Sequence, residues 1–111
     1  MTDKAEKQSI LKPVLLTGLV EYQRGSVVSN TLVKKEKGTV TLFAFDAGEG
    51  LSEHTAPFDA LVQVVDGEAD VTVGSEKHCV STGEVVLLPA DIPHSVQATK
   101  QFKMLLTMIR V

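Results

Sequence analysis

The side chains of this sequence best suited to proton transfer, metal binding or nucleophilic chemistry are three histidines, His54, His78 and His94, and one cysteine, Cys79. Imidazole titrates near neutral pH and is a common metal donor, so two histidines brought together can serve as acid and base, as ligands or as hydrogen-bonding anchors. His54 closes the glycine-rich segment Asp46-Ala-Gly-Glu-Gly-Leu-Ser-Glu-His, and His94 follows Leu88-Pro-Ala-Asp-Ile-Pro. His78 lies between Lys77 and Cys79 on a short strand and is expected on its surface. Cys79 has no cationic cluster beyond Lys77 to lower its pKa, so it reads as an ordinary buried or half-buried cysteine. With no second cysteine, neither an internal disulfide nor a zinc knuckle can form, and a reducing cytoplasm is the expected compartment.

The elements that must position these residues are strands. After the polar stretch 1–9, short runs of Val, Thr, Leu and Phe are bounded by Gly, Pro, Asp or Ser, the pattern of strands and tight turns. Eight strands are predicted, over 26–34, 39–46, 59–65, 69–73, 78–80, 85–89, 95–99 and 102–110, as in a barrel or sandwich. Asp66-Gly67 and Gly74-Ser75 read as hairpin turns, because glycine supplies the positive φ that such turns need. A sustained period of 3.6 residues is missing, which leaves room only for a short helix before Pro13. The run Lys34-Lys35-Glu36-Lys37 reads as a hydrated turn.

Composition bounds the partners. A chain of 111 residues with 43% apolar residues is one domain with enough apolar volume for a core. Eleven Lys plus Arg against 14 Asp plus Glu give a formal charge of −3, which disfavours nucleic acid, whose affinity comes from neutralised phosphates. The apolar stretch 14–20 falls far short of the roughly 18 residues of a membrane span, and Asp3, Glu6 and the Lys12-Pro13 break spoil a secretory leader, so a membrane partner is not expected.

The two histidine contexts resemble the motifs of the cupin superfamily. Its first motif runs glycine, five residues, His-x-His, three or four residues, Glu, six residues, glycine; Gly48, His54 and Gly67 match it. Its second runs glycine, five residues, Pro-x-Gly, two residues, His, three residues, Asn; Gly83, Pro89 and His94 match it. With the flanking strands, the resemblance extends from about Val27 to Met108. It implies an all-β fold, the cupin double-stranded β-helix or jelly-roll barrel, over residues 26–111. Residues 1–25 would then be an N-terminal segment packed on the barrel or on a partner subunit. In the family, three histidines and the glutamate hold a divalent ion. Here Ala56 replaces the second histidine, Ala60 the glutamate, Asp91 the glycine of the second motif and Ala98 its asparagine, so residue-by-residue transfer leaves His54 and His94 as metal ligands.

Strand alternation extends the reading. If His54 points inward, so do Ala56, Ala60, Val62 and Val64, whereas Glu53, Asp59 and Gln63 have the opposite parity. Val96 and Ala98 follow His94 inward, and the last strand offers Phe102, Met104, Leu106 and Met108 on one face. The expected ligand pocket is therefore mostly apolar: His54, Ala56, Ala60, Val62, His94, Met104, Leu106 and Met108, with Phe58 as a conceivable lid and flexible methionines able to repack. Burial would push the imidazole pKa values down. Two functions fit. One is a pocket for a small, partly apolar molecule oriented by the two histidines. The other is a metal-dependent oxygenase or isomerase, with His54, His94 and water or a third donor holding Fe, Mn, Ni or Zn. A third, metal-free possibility uses the histidines as acid and base. The last strand is apolar on both faces, so its outer face needs a cover, either the N-terminal segment or a second copy of the chain; the resemblance to small cupins, which commonly pair, favours the second, and a homodimer is expected.

Overall fold

The computed structural model describes residues 10–110. Among the described residues nine antiparallel strands form two sheets: β1 (Val27–Lys35), β2 (Gly38–Phe45), β3 (Gly50–His54), β4 (Asp59–Asp66), β5 (Glu68–Val73), β6 (Glu76–Ser81), β7 (Val85–Leu88), β8 (His94–Gln97) and β9 (Phe102–Ile109). The five-stranded sheet has the order β1-β2-β9-β4-β7, and the four-stranded sheet the order β3-β8-β5-β6. Consecutive strands repeatedly change sheet, so the chain winds around a common interior. That is the jelly-roll barrel expected from the sequence.

Two expectations are corrected. Strand β3 was not among the eight predicted, because Gly50-Leu51-Ser52-Glu53-His54 contains no β-branched or aromatic strand former and follows a glycine-rich turn. Asp66-Gly67 is a corner rather than a hairpin: it joins β4 of one sheet to β5 of the other. Gly67 has φ +80, and a Cβ placed there would lie 2.5 Å from the Gln101 carbonyl oxygen, so both conformation and space demand glycine. Gly74-Ser75 does close a hairpin, with Val73 opposite Glu76, and Glu36-Lys37 makes the exposed turn between β1 and β2. The short helix expected before Pro13 falls largely outside the described residues. A 3₁₀ turn occurs at Leu16–Leu19. Among the described residues no helix is long and apolar enough to cross a membrane.

The interior follows the alternation of the strands. Phe45, Val62, Val64, Ala69, Val71, Phe102 and Met104 are completely or almost completely buried between the sheets. A second cluster lies on the outer face of the five-stranded sheet. There Val20, with Leu16, Leu19 and Tyr22, packs on Leu42, Ala44 and Leu105. Lys103, on the outward side of β9, is covered as well; its Nζ donates to the Thr17 carbonyl at 2.6 Å and lies 4.9 Å from the centre of the Tyr22 ring. The Tyr22 hydroxyl donates to Asp66. Desolvation, then the bonded and negative Asp66, push the Tyr22 pKa far up, so this hydroxyl stays a donor. Elsewhere on that face Leu61, Val85, Leu87 and Ile109 are exposed.

Candidate functional site

His54 ends β3 and His94 begins β8, and the two are direct cross-strand partners. Their alignment depends on an irregularity. Leu51 pairs with Val96 and His54 with His94, so three steps along β3 match two along β8, and one extra residue is accommodated as a bulge. Strict alternation from inward-facing Leu51 would turn residue 54 to solvent. The bulge resets the parity, so that Leu51 and His54 both reach the interior cavity while Glu53 stays exposed. Beyond His54 the alternation resumes, and Ala56, Phe58 and Ala60 line the same cavity.

The loop before β8 holds His94 from several sides. Asp59 accepts a hydrogen bond from the Ala90 amide at 2.8 Å, the Asp91 amide donates to the Ala56 carbonyl at 2.8 Å, and the Gly74 amide donates to the Pro93 carbonyl at 2.7 Å. Asp91, at the position where the family motif has glycine, has φ +64. Aspartate is one of the few non-glycine residues that tolerates this region, so the turn survives the replacement. Asp59 is therefore a positioning residue, a role that parity alone did not reveal. The carboxylate turned away from the cavity still ties down the loop that carries a histidine.

The imidazoles meet edge to face, with ring centroids 4.4 Å apart and Nε2 atoms 3.1 Å apart. Each Nδ1 lies near a main-chain carbonyl two residues back, Ser52 for His54 at 2.8 Å and Ile92 for His94 at 3.1 Å. A carbonyl can only accept, so these contacts fit hydrogen on both Nδ1 atoms; the two Nε2 lone pairs then face one another at hydrogen-bond distance, an arrangement that needs a proton or a donor between them. His94 is 6% exposed. Its pKa is lowered, first by desolvation and further by His54, against the opposing effect of the Ile92 carbonyl. The arrangement thus presents two adjacent acceptors at the edge of an apolar space.

That space is a cavity of about 160 Å³ lined by Leu51, His54, Ala56, Phe58, Ala60, Leu88, His94, Val96, Met104, Leu106 and Met108. It gathers every residue of the expected pocket except Val62, which is completely buried in the core and does not line it. Parity gives the face of a strand and not the depth; two residues beyond Ala60 the chain has advanced about 6.6 Å into filled interior. Phe58 is part of the wall, and the Arg110 guanidinium sits 5.2 Å from its ring centre. His78 is on the surface, as expected. Cys79, expected to be buried or half-buried, is exposed, because it faces away from buried Val80 on edge strand β6. Desolvation and the nearby carboxylates of Glu68 and Asp70 push its pKa up, which keeps it a thiol.

The family model for the cupin domain matches residues 41–110. A conserved protein of unknown function from Streptococcus pyogenes superposes with a TM-score of 0.86 at 33% identity, over 90% of this chain and 88% of that one. A cupin 2 conserved barrel domain protein from Leptotrichia buccalis is 46% identical with a TM-score of 0.82, over 86% of this chain and 46% of that one. A cupin superfamily protein from Desulfitobacterium hafniense gives a TM-score of 0.86 at 29% identity, over 90% of this chain and 92% of that one. In sequence, 62 residues are 37% identical to an uncharacterized protein of Streptomyces coelicolor; the match takes in 56% of this chain and 59% of that protein's length.

Proposed function

This chain belongs to the cupin family, and on that premise we propose that its barrel binds a small molecule with an apolar body and a hydrogen-bond-donating head. The observation that carries the proposal is the pair of Nε2 acceptors, 3.1 Å apart, at the edge of an otherwise apolar cavity. Main-chain carbonyls occupy both Nδ1 hydrogens, so the face offered to a ligand accepts and does not donate. An alcohol, phenol or amine head complements it, and the apolar wall takes the rest of the molecule. The volume favours a benzene-sized body, since an apolar cavity of roughly 150 Å³ is known to hold benzene.

The metal-dependent alternative draws support from the same nitrogens, because atoms 3.1 Å apart can both lie about 2.0–2.1 Å from one ion. The donor set argues against a divalent one. Among the described residues no group of three or more His, Cys, Asp or Glu side chains could hold an ion. Ala56 and Ala60 put methyl groups where the family has an imidazole and a carboxylate, so nothing anionic offsets two positive charges in an apolar wall. The residues present do not fit the family's divalent ion.

Native mass spectrometry of untagged protein, followed by calorimetry with small phenols, alcohols and amines, tests the pocket. Binding by the parent that is lost in Ala60→Leu, which fills the cavity, and weakened in His94→Asn supports it. Equal binding by all three proteins would refute it.

A further inference from the structure

We infer that the pocket selects hydroxycarboxylic acids: the ligand's hydroxyl donates to the histidine pair, and its carboxylate pairs with the Arg110 guanidinium at the cavity mouth. The inference rests on the pocket reading above and adds to it an anionic group and the residue that recognises it.

Three observations carry it. First, Arg110 continues the inward series of β9. Met104, Leu106 and Met108 line the cavity at alternate positions, and residue 110 is the next of that parity, just past the end of the strand. Second, the register sets it beside the cavity wall. Ala60 pairs with Met108 and Asp59 with Ile109, so the same antiparallel count brings Phe58 opposite Arg110. The guanidinium lies 5.2 Å from the centre of the Phe58 ring, and Phe58 lines the cavity. The Arg110 amide donates to the Lys37 carbonyl at 2.6 Å, which fixes the backbone where the ladder ends. Third, the charge is uncompensated. The cavity lining contains no carboxylate, and Arg110 makes no ion pair among the described residues. The nearby Asp59 carboxylate is already bound to the Ala90 amide.

The two anchors stand on opposite walls, the histidines on the four-stranded sheet and Arg110 at the end of β9 in the five-stranded one. Facing sheets lie about 10 Å apart at their backbones, so side chains reaching in from both leave room for one small molecule between them. The anchors also ask for different groups. The imidazole nitrogens accept, so they take a hydroxyl hydrogen and repel a carboxylate, whereas the guanidinium only donates and matches a carboxylate with two parallel bonds. An aromatic face holds a guanidinium without using its N–H donors on an oxygen, so the fork remains available. An ammonium head would bring a further charge against the apolar wall, which favours a hydroxyl over an amine. A plain alcohol or phenol satisfies one anchor; a hydroxy acid satisfies both.

The test is calorimetry on metal-free, untagged protein with two matched pairs, mandelate against mandelamide and 4-hydroxybenzoate against 4-hydroxybenzamide, and with phenol as the uncharged reference. Within each pair only the charge changes, and the two pairs hold hydroxyl and carboxylate at a short and a long spacing. In the parent the acid of at least one pair is expected to bind about tenfold tighter than its amide, or more. Added salt should reduce that ratio. Arg110→Gln should bring the ratio to about one, and Arg110→Lys, which keeps the charge and loses the fork, should retain part of it. A general loss of pocket shape would weaken acid and amide together and leave the ratio where it was. Acid and amide bound equally by the parent, or a preference that survives undiminished in Arg110→Gln, overturns the inference. Failure of the pocket reading looks different: the parent then binds neither phenol nor any of the four, and this inference falls with it.

Discussion

At one end of the barrel Phe45 of β2 and Phe102 of β9 stack with ring centroids 4.5 Å apart, and both are fully buried; at the other end β9 and its neighbour β4 carry Met108 and Ala60 beside a cavity. Backbone pairing is continuous between the two ends. On β9 the inward residues run Phe102, Met104, Leu106 and Met108, so the transition from filled to hollow takes four alternate positions. On β9 and β4 the cavity needs no insertion. It arises where small side chains and an adaptable thioether replace rings, and the closed end supplies the stability that lets the open end stay under-packed.

The largest expected effect separates the two ends directly. Phe102→Ala should destabilise the fold by about 3–5 kcal/mol, whereas Met108→Leu should cost less than about 1.5 kcal/mol, as measured by urea unfolding. Similar losses would mean that the open end is packed as tightly as the closed one. A pair of alanines sharpens the contrast. Ala69 is completely buried, and enlarging it to leucine should cost about 1–3 kcal/mol through overpacking. The same change at Ala60 extends into the cavity and should cost clearly less.

Smaller effects probe the loop that holds His94. Asp91→Ala should lose roughly 1 kcal/mol because φ is +64 there, and Asp91→Gly should not. Burial holds the His94 pKa below its ordinary 6.5, so the unfolded chain takes up a proton that the folded chain resists. This contribution is complete above about pH 6.5 and is lost as pH falls from there toward the lowered folded value. Denaturation midpoints should therefore decline between neutral pH and pH 5 more steeply in the parent than in His94→Asn. Identical slopes would show that His94 is not desolvated.

Much of this was legible before the fold was known, and for physical reasons. Alternating apolar residues and the turn-forming Gly, Asp and Pro give the strands, and inward parity gives the cavity wall from Ala56 through Met108. What escaped depends on the third dimension. Whether Asp66-Gly67 reverses a strand or carries it to the other sheet is decided by what packs beneath it. The depth of Val62 depends on how far the aromatic end reaches. The approach of His54 to His94 needs a register that no local pattern specifies, and the motif spacing indicated the pair without its geometry. The service of Asp59 to the loop of His94 is a contact across 31 positions of sequence.

The surplus residue between Leu51 and His54 has an evolutionary consequence. Removing a single codon there would place the imidazole two positions after Leu51, inward by plain alternation and still opposite His94, so a shorter strand keeps the pair. Flattening the bulge at the present length would instead turn the imidazole to solvent without altering any wall residue. The segment is therefore free to lose length but not to lose its kink.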